Sequence, residues 1–214
     1  MQSDLKCLIV AGKKLDKFIS GITTNRLSSS PTLSAFCNQS GKVIALAVVY
    51  LHEDVCYVLV QHELAARLEK HLAFYGRFSR VQIEVLEGYC VLDAQLQKTG
   101  QHQVEDFSEW YDYLYQKGLV FLDEANSEKF TPQMLAYDKH ELIDWHKGCY
   151  LGQEVIARVS HRGRNKRHLY QIVSPYPNEA HVVLQVGDQA LAVISDSDIV
   201  SIQDRGVQLT LVEA

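Results

Sequence analysis

Residues 43–51, VIALAVVYL, form the longest uncharged apolar run in the chain. A membrane-crossing helix needs about 20 such residues, so this run reads as a strand buried inside a folded domain. It is preceded by the turn Gln39-Ser40-Gly41-Lys42 and followed by His52-Glu53-Asp54. Apolar runs at 32–38 and 55–61 flank those turns, so three strands follow one another through tight connections. A further run at 5–11 is a strand by its apolar and β-branched content. It leads into 12–22, where Leu15, Phe18, Ile19 and Ile22 recur at helical spacing. Leu64, Leu68, Leu72 and Tyr75 mark the buried stripe of a second helix.

Strands are expected at 80–86 and 89–95, hinged at Glu87-Gly88, followed by a polar loop over 97–103. Residues 104–117 read as a helix closed by Gly118, and Phe107, Trp110, Tyr111 and Leu114 on it have core spacing. The acidic stretch 105–128 reads as a solvated face, with an acidic docking surface as the other reading. Thr131-Pro132 reads as a helix cap and first helical residue. Beyond Arg158 the pattern changes to short runs at 167–173, 182–186, 190–194, 199–203 and 207–212, separated by turn residues. Such spacing suggests a small antiparallel barrel or sandwich. The expected fold is α+β, with an α+β region over 1–160 and a compact β module over 161–214.

With 214 residues, 47% of them hydrophobic, and only 4 Pro, the chain is an ordinary globular sequence with enough length for a core of its own. The start shows no basic segment followed by an apolar one, so a cytoplasmic protein is expected. A net charge of −5 argues against broad nucleic-acid affinity while leaving room for a local basic patch. The five cysteines form no Cys-x-x-Cys pair and no zinc-finger spacing, so no metal site is expected. Cys7, Cys56 and Cys90 lie in apolar runs and read as core thiols, and Cys37 reads as structural.

Cys149 differs. It stands in HKGCYLGQEVIARVSHRGRNKRHLY, residues 146–170, where Gly148 and Gly152 flank Cys149 and Tyr150 and permit an irregular turn. Val155, Ile156 and Val159 then have helical spacing, with Glu154 and Arg158 at i, i+4. Cys149 is placed just before or within the first turn of that helix, beside Lys147 and His146. Helix amides, the dipole and a nearby cation all favour thiolate. From spacing alone, a reactive thiol and a thiol packed at a helix–strand joint both remain open. Arg158, Arg162, Arg164, Lys166 and Arg167 form a cluster free of acids, able to receive phosphates or carboxylates or simply to face solvent.

The segment Lys147-Gly148-Cys149-Tyr150-Leu151-Gly152-Gln153-Glu154, with Arg158 and Arg162-Gly163, resembles the signature of the YgfZ family, folate-binding relatives of the glycine cleavage aminomethyltransferase (T-protein). The likeness extends to Phe130-Thr131-Pro132-Gln133 and Lys166-Arg167, to FISGITTN at 18–25 and to SAFCNQSGKV at 34–43. It implies a T-protein-type folate-binding fold. It also implies a tetrahydrofolate-dependent factor that supports assembly or repair of iron–sulfur clusters in client enzymes, including enzymes that modify tRNA. Cys149 is then the functional thiol. Tyr150, Gln153 and Glu154 would meet the pterin, and Arg158, Arg162 and Lys166 the anionic tail. Two positions depart from the family pattern: Arg26 replaces an Asp, and Ala136 replaces a hydrogen-bonding side chain on the pterin side.

Two other functions compete. A true aminomethyltransferase carries acidic residues on the strand after the Gly41 turn, where this chain has Ala45 and Leu46, and neither can accept a proton. No aminomethyl transfer is therefore expected. An RNA-binding module would rest on the basic cluster alone. The expected partners are iron–sulfur client enzymes and a reduced folate, with no membrane and no nucleic acid bound directly.

Overall fold

The computed structural model describes residues 5–86, 91–92, 98–100, 108–163 and 165–213. Its first layer is a five-stranded sheet. In chain order it is built from β1 (Leu5–Ala11), β2 (Thr32–Cys37), β3 (Val43–His52), β4 (Val55–Gln61) and β5 (Gln82–Val85), arranged in space as β2-β3-β4-β1-β5. Two helices belong with it, α1 (Leu15–Ser20) and α2 (His62–Gly76). The apolar run 43–51 forms most of β3, buried without a break from Val43 to Val49. A strand covered on both faces has no need of alternation. Its partner β4 pairs Tyr50 with Tyr57, whose rings stack at 4.9 Å. Helix α2 closes one face with Leu64, Leu68 and Leu72, all fully buried, each contributing about 1.5–3 kcal/mol of apolar burial.

A two-stranded ribbon, β6 (Val91–Leu92) and β7 (Lys98–Gly100), and helix α3 (Ser108–Lys117) follow. The expected strand at 80–86 is present as β5. Residues 98–100 of the expected polar loop at 97–103 are instead strand β7, pairing with β6. The rest of that loop, most of the strand at 89–95 with Cys90, the hinge at Glu87-Gly88 and the start of the helix at 104–117, with Phe107, lie outside the described residues. Leu114 on α3 is fully buried, with Trp110 and Tyr111 packed on the core. Thr131-Pro132 opens a single 3-10 turn, Pro132–Leu135, which Ala136 ends in the left-handed conformation, φ 57°. Helix α4 spans Gln153–Arg162.

The last layer is an antiparallel sheet of β8 (Arg167–Val173), β9 (His181–Val186), β10 (Gln189–Ser195) and β11 (Thr210–Leu211), in the order β11-β8-β10-β9. Two expectations are corrected here. Residues 199–203 are helix α5 (Ile199–Asp204), because Ile199 and Ile202 sit on one helical face against the sheet while Val200 stays 66% exposed. Among the described residues the sheet is also open, neither a barrel nor a sandwich. Alternation along β8 and β10 explains why. Leu169, Leu191 and Val193 join the main core, whereas Tyr170, Ile172, Ala190, Ala192 and Ile194 turn to α5. With a helix on its outer face, the sheet needs no closure to bury both sides.

Candidate functional site

The segment leading into α4 runs without regular structure across the edge of the first layer. Two of its backbone amides are satisfied by residues far away in sequence. The amide of Asp144 donates to the carbonyl of Thr24 at 3.0 Å, and that of Leu151 to Gly21 at 2.9 Å. The Thr24 hydroxyl donates to the Leu142 carbonyl at 2.8 Å, and Thr23 and Thr24 are both fully buried. Lys147 completes the seam. Its ammonium donates to the carbonyls of Thr23 at 2.6 Å and Asn25 at 2.9 Å, and lies 5.4 Å from the centre of the Tyr150 ring. Burial is the main reason its pKa falls to about 8, with Asp144 opposing and Arg26 adding to the fall.

Gly152 fixes the approach. It has φ +81°, and a Cβ there would meet the Asn38 carbonyl oxygen at 2.6 Å and the Gly41 Cα at 3.0 Å. A Cβ on Gly41, which has φ +69°, would meet Val155 Cβ on α4 at 3.0 Å. The turn that presents Gly41 is tied by Asn38, whose Oδ1 accepts from the amides of Ser40 and Lys42 at 3.0 Å each. On the inner side of α4, Gln133 donates its Nε2 to the Ile156 carbonyl at 2.7 Å. The segments 18–25, 34–43, 130–133 and 146–158 therefore meet at one place.

The candidate residues divide by exposure. Cys149 is exposed in the turn before Gly152, outside helix α4, while Cys7, Cys37 and Cys56 are buried. Tyr150 is 6% exposed, and its hydroxyl is buried without a partner. Gln153 is half-buried, whereas Glu154, Arg158 and Lys166 are exposed. Among the described residues, Glu154 and Arg158 make no ion pair, so the i, i+4 pairing expected from sequence does not form and both side chains are left to solvent. Arg162 ends α4, and Arg164 lies outside the described residues. Arg26 pairs with Asp144 at 3.1 Å, and the His146 amide, followed by Arg26, holds the Asp144 carboxyl below its ordinary range.

A cavity of ≈ 320 Å³ opens beside α4, lined by Gln133, Ala136, Asp138, Val159, Gly163 and Asn165 among others. Gln133 Oε1 and Asn165 Oδ1 are buried there without hydrogen-bond partners. Burial raises the Asp138 carboxyl above its ordinary range. Sequence reading noted Gln133 and Ala136 but missed Asp138 and Asn165, which no local spacing signals. Ala45 and Leu46, at the positions an aminomethyltransferase would fill with acids, are 0% and 1% exposed. No group of three His, Cys, Asp or Glu placed to hold a metal ion occurs among the described residues. No helix among them is long and apolar enough to cross a membrane.

No family model matches the chain. Curated proteins do. It is 32% identical over 135 residues to the tRNA-modifying protein YgfZ of Pectobacterium carotovorum, a match covering 63% of this chain and 38% of that protein. It is 41% identical over 71 residues to the protein of the same name from Sodalis glossinidius, covering 33% and 22%. A third, from Blochmanniella pennsylvanica, is 39% identical over 89 residues, covering 41% and 27%. The matched stretches thus span between about a fifth and two fifths of these relatives' own length. Among solved structures, the glycine cleavage system aminomethyltransferase T of Bartonella henselae superposes with a TM-score of 0.66 over 91% of this chain and 77% of its own, at 11% identity. That likeness shows the fold, and the expected T-protein-type architecture is borne out.

Proposed function

We propose that this chain, similar to the YgfZ proteins over part of their length, binds a reduced folate and supports assembly or repair of iron–sulfur clusters in client enzymes, some of which modify tRNA. One observation carries the reading: Cys149 is presented to solvent from a turn that Lys147 and Gly152 lock against residues 21–25 and 38–41. A thiol that only filled space would not need two distant segments to display it. In this reading Cys149 acts on the cluster or its ligands, and the folate lies along α4.

The residues present fit a folate. A pterin edge offers N–H donors, and the cavity beside α4 holds two side-chain oxygens without partners, Gln133 Oε1 and Asn165 Oδ1, next to the Asp138 carboxyl. Such acceptors cost about 1–3 kcal/mol each when buried unpaired, and a donor-rich ring would recover part of that. Gln153 and Glu154 would meet the pterin from the start of α4. Tyr150, buried beneath, supports this edge rather than stacking on the ring. Exposed Arg158 and Lys166, with Arg162 between them in sequence, would take the tail carboxylates, the arginines in bidentate fashion. Reduced folate, when bound, supplies one-carbon and redox chemistry; this chain's residues bind and orient it.

The aminomethyltransferase reading has less support, since Ala45 and Leu46 leave no acid on β3 to move a proton. Titration with tetrahydrofolate followed by protein fluorescence tests the proposal. Saturable quenching is expected, tighter for a polyglutamate than for the monoglutamate, with the gain shrinking as salt rises. Replacing Arg162 and Lys166 together removes that gain. Cys149→Ala keeps the fold but fails to restore iron–sulfur enzyme activity in cells lacking the protein. Absence of saturable binding, or full rescue by Cys149→Ala, would overturn the proposal.

A further inference from the structure

Away from α4, a second concave site lies where the end of β1 meets the turn after α2. The chain leaves α2 at Gly76 and reverses direction before β5, with Ser79 donating back to the Gly76 carbonyl at 3.0 Å. The turn is set by close packing, since a Cβ on Gly76 would meet Val81 Cγ2 at 2.5 Å. Phe78 stands at its tip and is 92% exposed. Phe74, one turn earlier on α2, is 58% exposed, and the Arg77 guanidinium lies 5.9 Å from the centre of its ring.

A cavity of ≈ 660 Å³ is bounded by Phe78, Ser79, Arg80 and Gln82 on one side and by Gly12, Lys13 and Lys14 on the other. Every charged residue lining it, among those described, is a cation. Lys13, Lys14 and Arg80 are exposed, and none forms an ion pair among the described residues. Complementing the helix dipole would account for Arg77 at the end of α2, but not for lysines delivered by the segment after β1. Nor does it account for a phenyl ring almost wholly in water. An exposed ring alone is ordinary, but here it stands at the rim of a concavity lined by three cations.

We propose that this cleft is a docking site for single-stranded nucleic acid, with Phe78 stacking on an unpaired base while Lys13, Lys14 and Arg80 hold the flanking phosphates. The pairing of one exposed aromatic face with several unpaired cations is what a sequence-tolerant single strand requires. A duplex offers no free base face to Phe78. A lipid surface would favour a flat apolar face ringed by cations, whereas here the cations line a concavity. The chain's net charge of −5 argues against broad affinity for polyanions, so binding here rests on the local cations of the cleft together with Phe78. The site is separate from α4 and does not depend on the folate reading.

Fluorescence anisotropy of a labelled oligouridine, titrated with the full chain at low salt, tests this. Saturable binding is expected, stronger than for a duplex of the same length. Phe78→Ala should weaken it about tenfold. Lys13→Glu with Lys14→Glu should weaken it by at least as much and reduce the slope of log affinity against log salt by about 1–2. Phe78 is so exposed that its removal leaves folding intact, which circular dichroism would verify. The proposal is overturned if the oligonucleotide does not bind or if both variants bind it as well as the parent. It is equally overturned if the protein sediments with anionic phosphatidylserine vesicles while ignoring the oligonucleotide.

Discussion

His71 packs its ring 5.0 Å from that of Tyr75 on α2, and its Nε2 is buried without a partner. Burial pushes its pKa down to about 4, and the Glu128 carboxylate opposes the shift only in part. The unfolded chain, with an ordinary histidine, takes up this proton first as pH falls. Stability contributed by the neutral ring is therefore complete above about pH 6.5 and is lost progressively down to about pH 4. The loss is on the order of 2–3 kcal/mol. His71→Gln should remove this component, so urea unfolding of parent and variant at pH 7 and pH 4.5 should converge at the lower pH. A constant difference between them would contradict the assignment. The thiols show the same dependence on surroundings. Burial pushes Cys56 up to about 12, while Cys149 is open to reagents. Sequence foresaw that division because Cys7 and Cys56 stand in apolar runs and Cys149 between glycines.

Helix α4 and the turn before it act as one element, held at Gly152 rather than at Gly148. Nothing lies within 4 Å of a Cβ built on Gly148, whereas one on Gly152 strikes the backbone of Asn38 and Gly41. Gly148→Ala should leave the melting temperature almost unchanged. Gly152→Ala combines a left-handed φ with a backbone clash and should cost about 2–4 kcal/mol, read as a lower thermal midpoint. It should also loosen Cys149, so that alkylation of the folded protein gives a mixture of rates. The sequence alone ranked the two glycines equally. Only the approach of residues 38–41 separates them.

Across the whole molecule, the strand that carries acids in an aminomethyltransferase is sealed here. Ala45 has no exposed surface and pairs with Phe36 across β2 and β3, and both are core residues. No tetrahydrofolate-dependent release of an aminomethyl group from a lipoyl carrier is expected above the uncatalysed rate. Ala45→Asp should not create the activity. It would bury an unpaired carboxylate at a cost of about 3–5 kcal/mol, and loss of cooperative unfolding is the expected outcome. A folded, active Ala45→Asp protein would show that β3 borders an open site after all.

Local chemistry in the sequence determined the strands of the first layer, the stripe of α2, the helix after Gly152 and the solitary character of Cys149. Periodicity and turn residues act over a few positions, and a single chain displays them directly. Residues 199–203 show the limit, because a short β-branched run suits a strand or a helix until the face it covers is known. Tertiary structure alone decided that this run covers β8 and β10 as a helix, leaving the last sheet open. It likewise decided that Lys147 is spent on the carbonyls of Thr23 and Asn25, and that Lys13 and Lys14 share a cleft with Phe78. Those contacts join residues more than 60 positions apart, and nothing in the local spacing of a sequence encodes which distant groups the folded core will bring together.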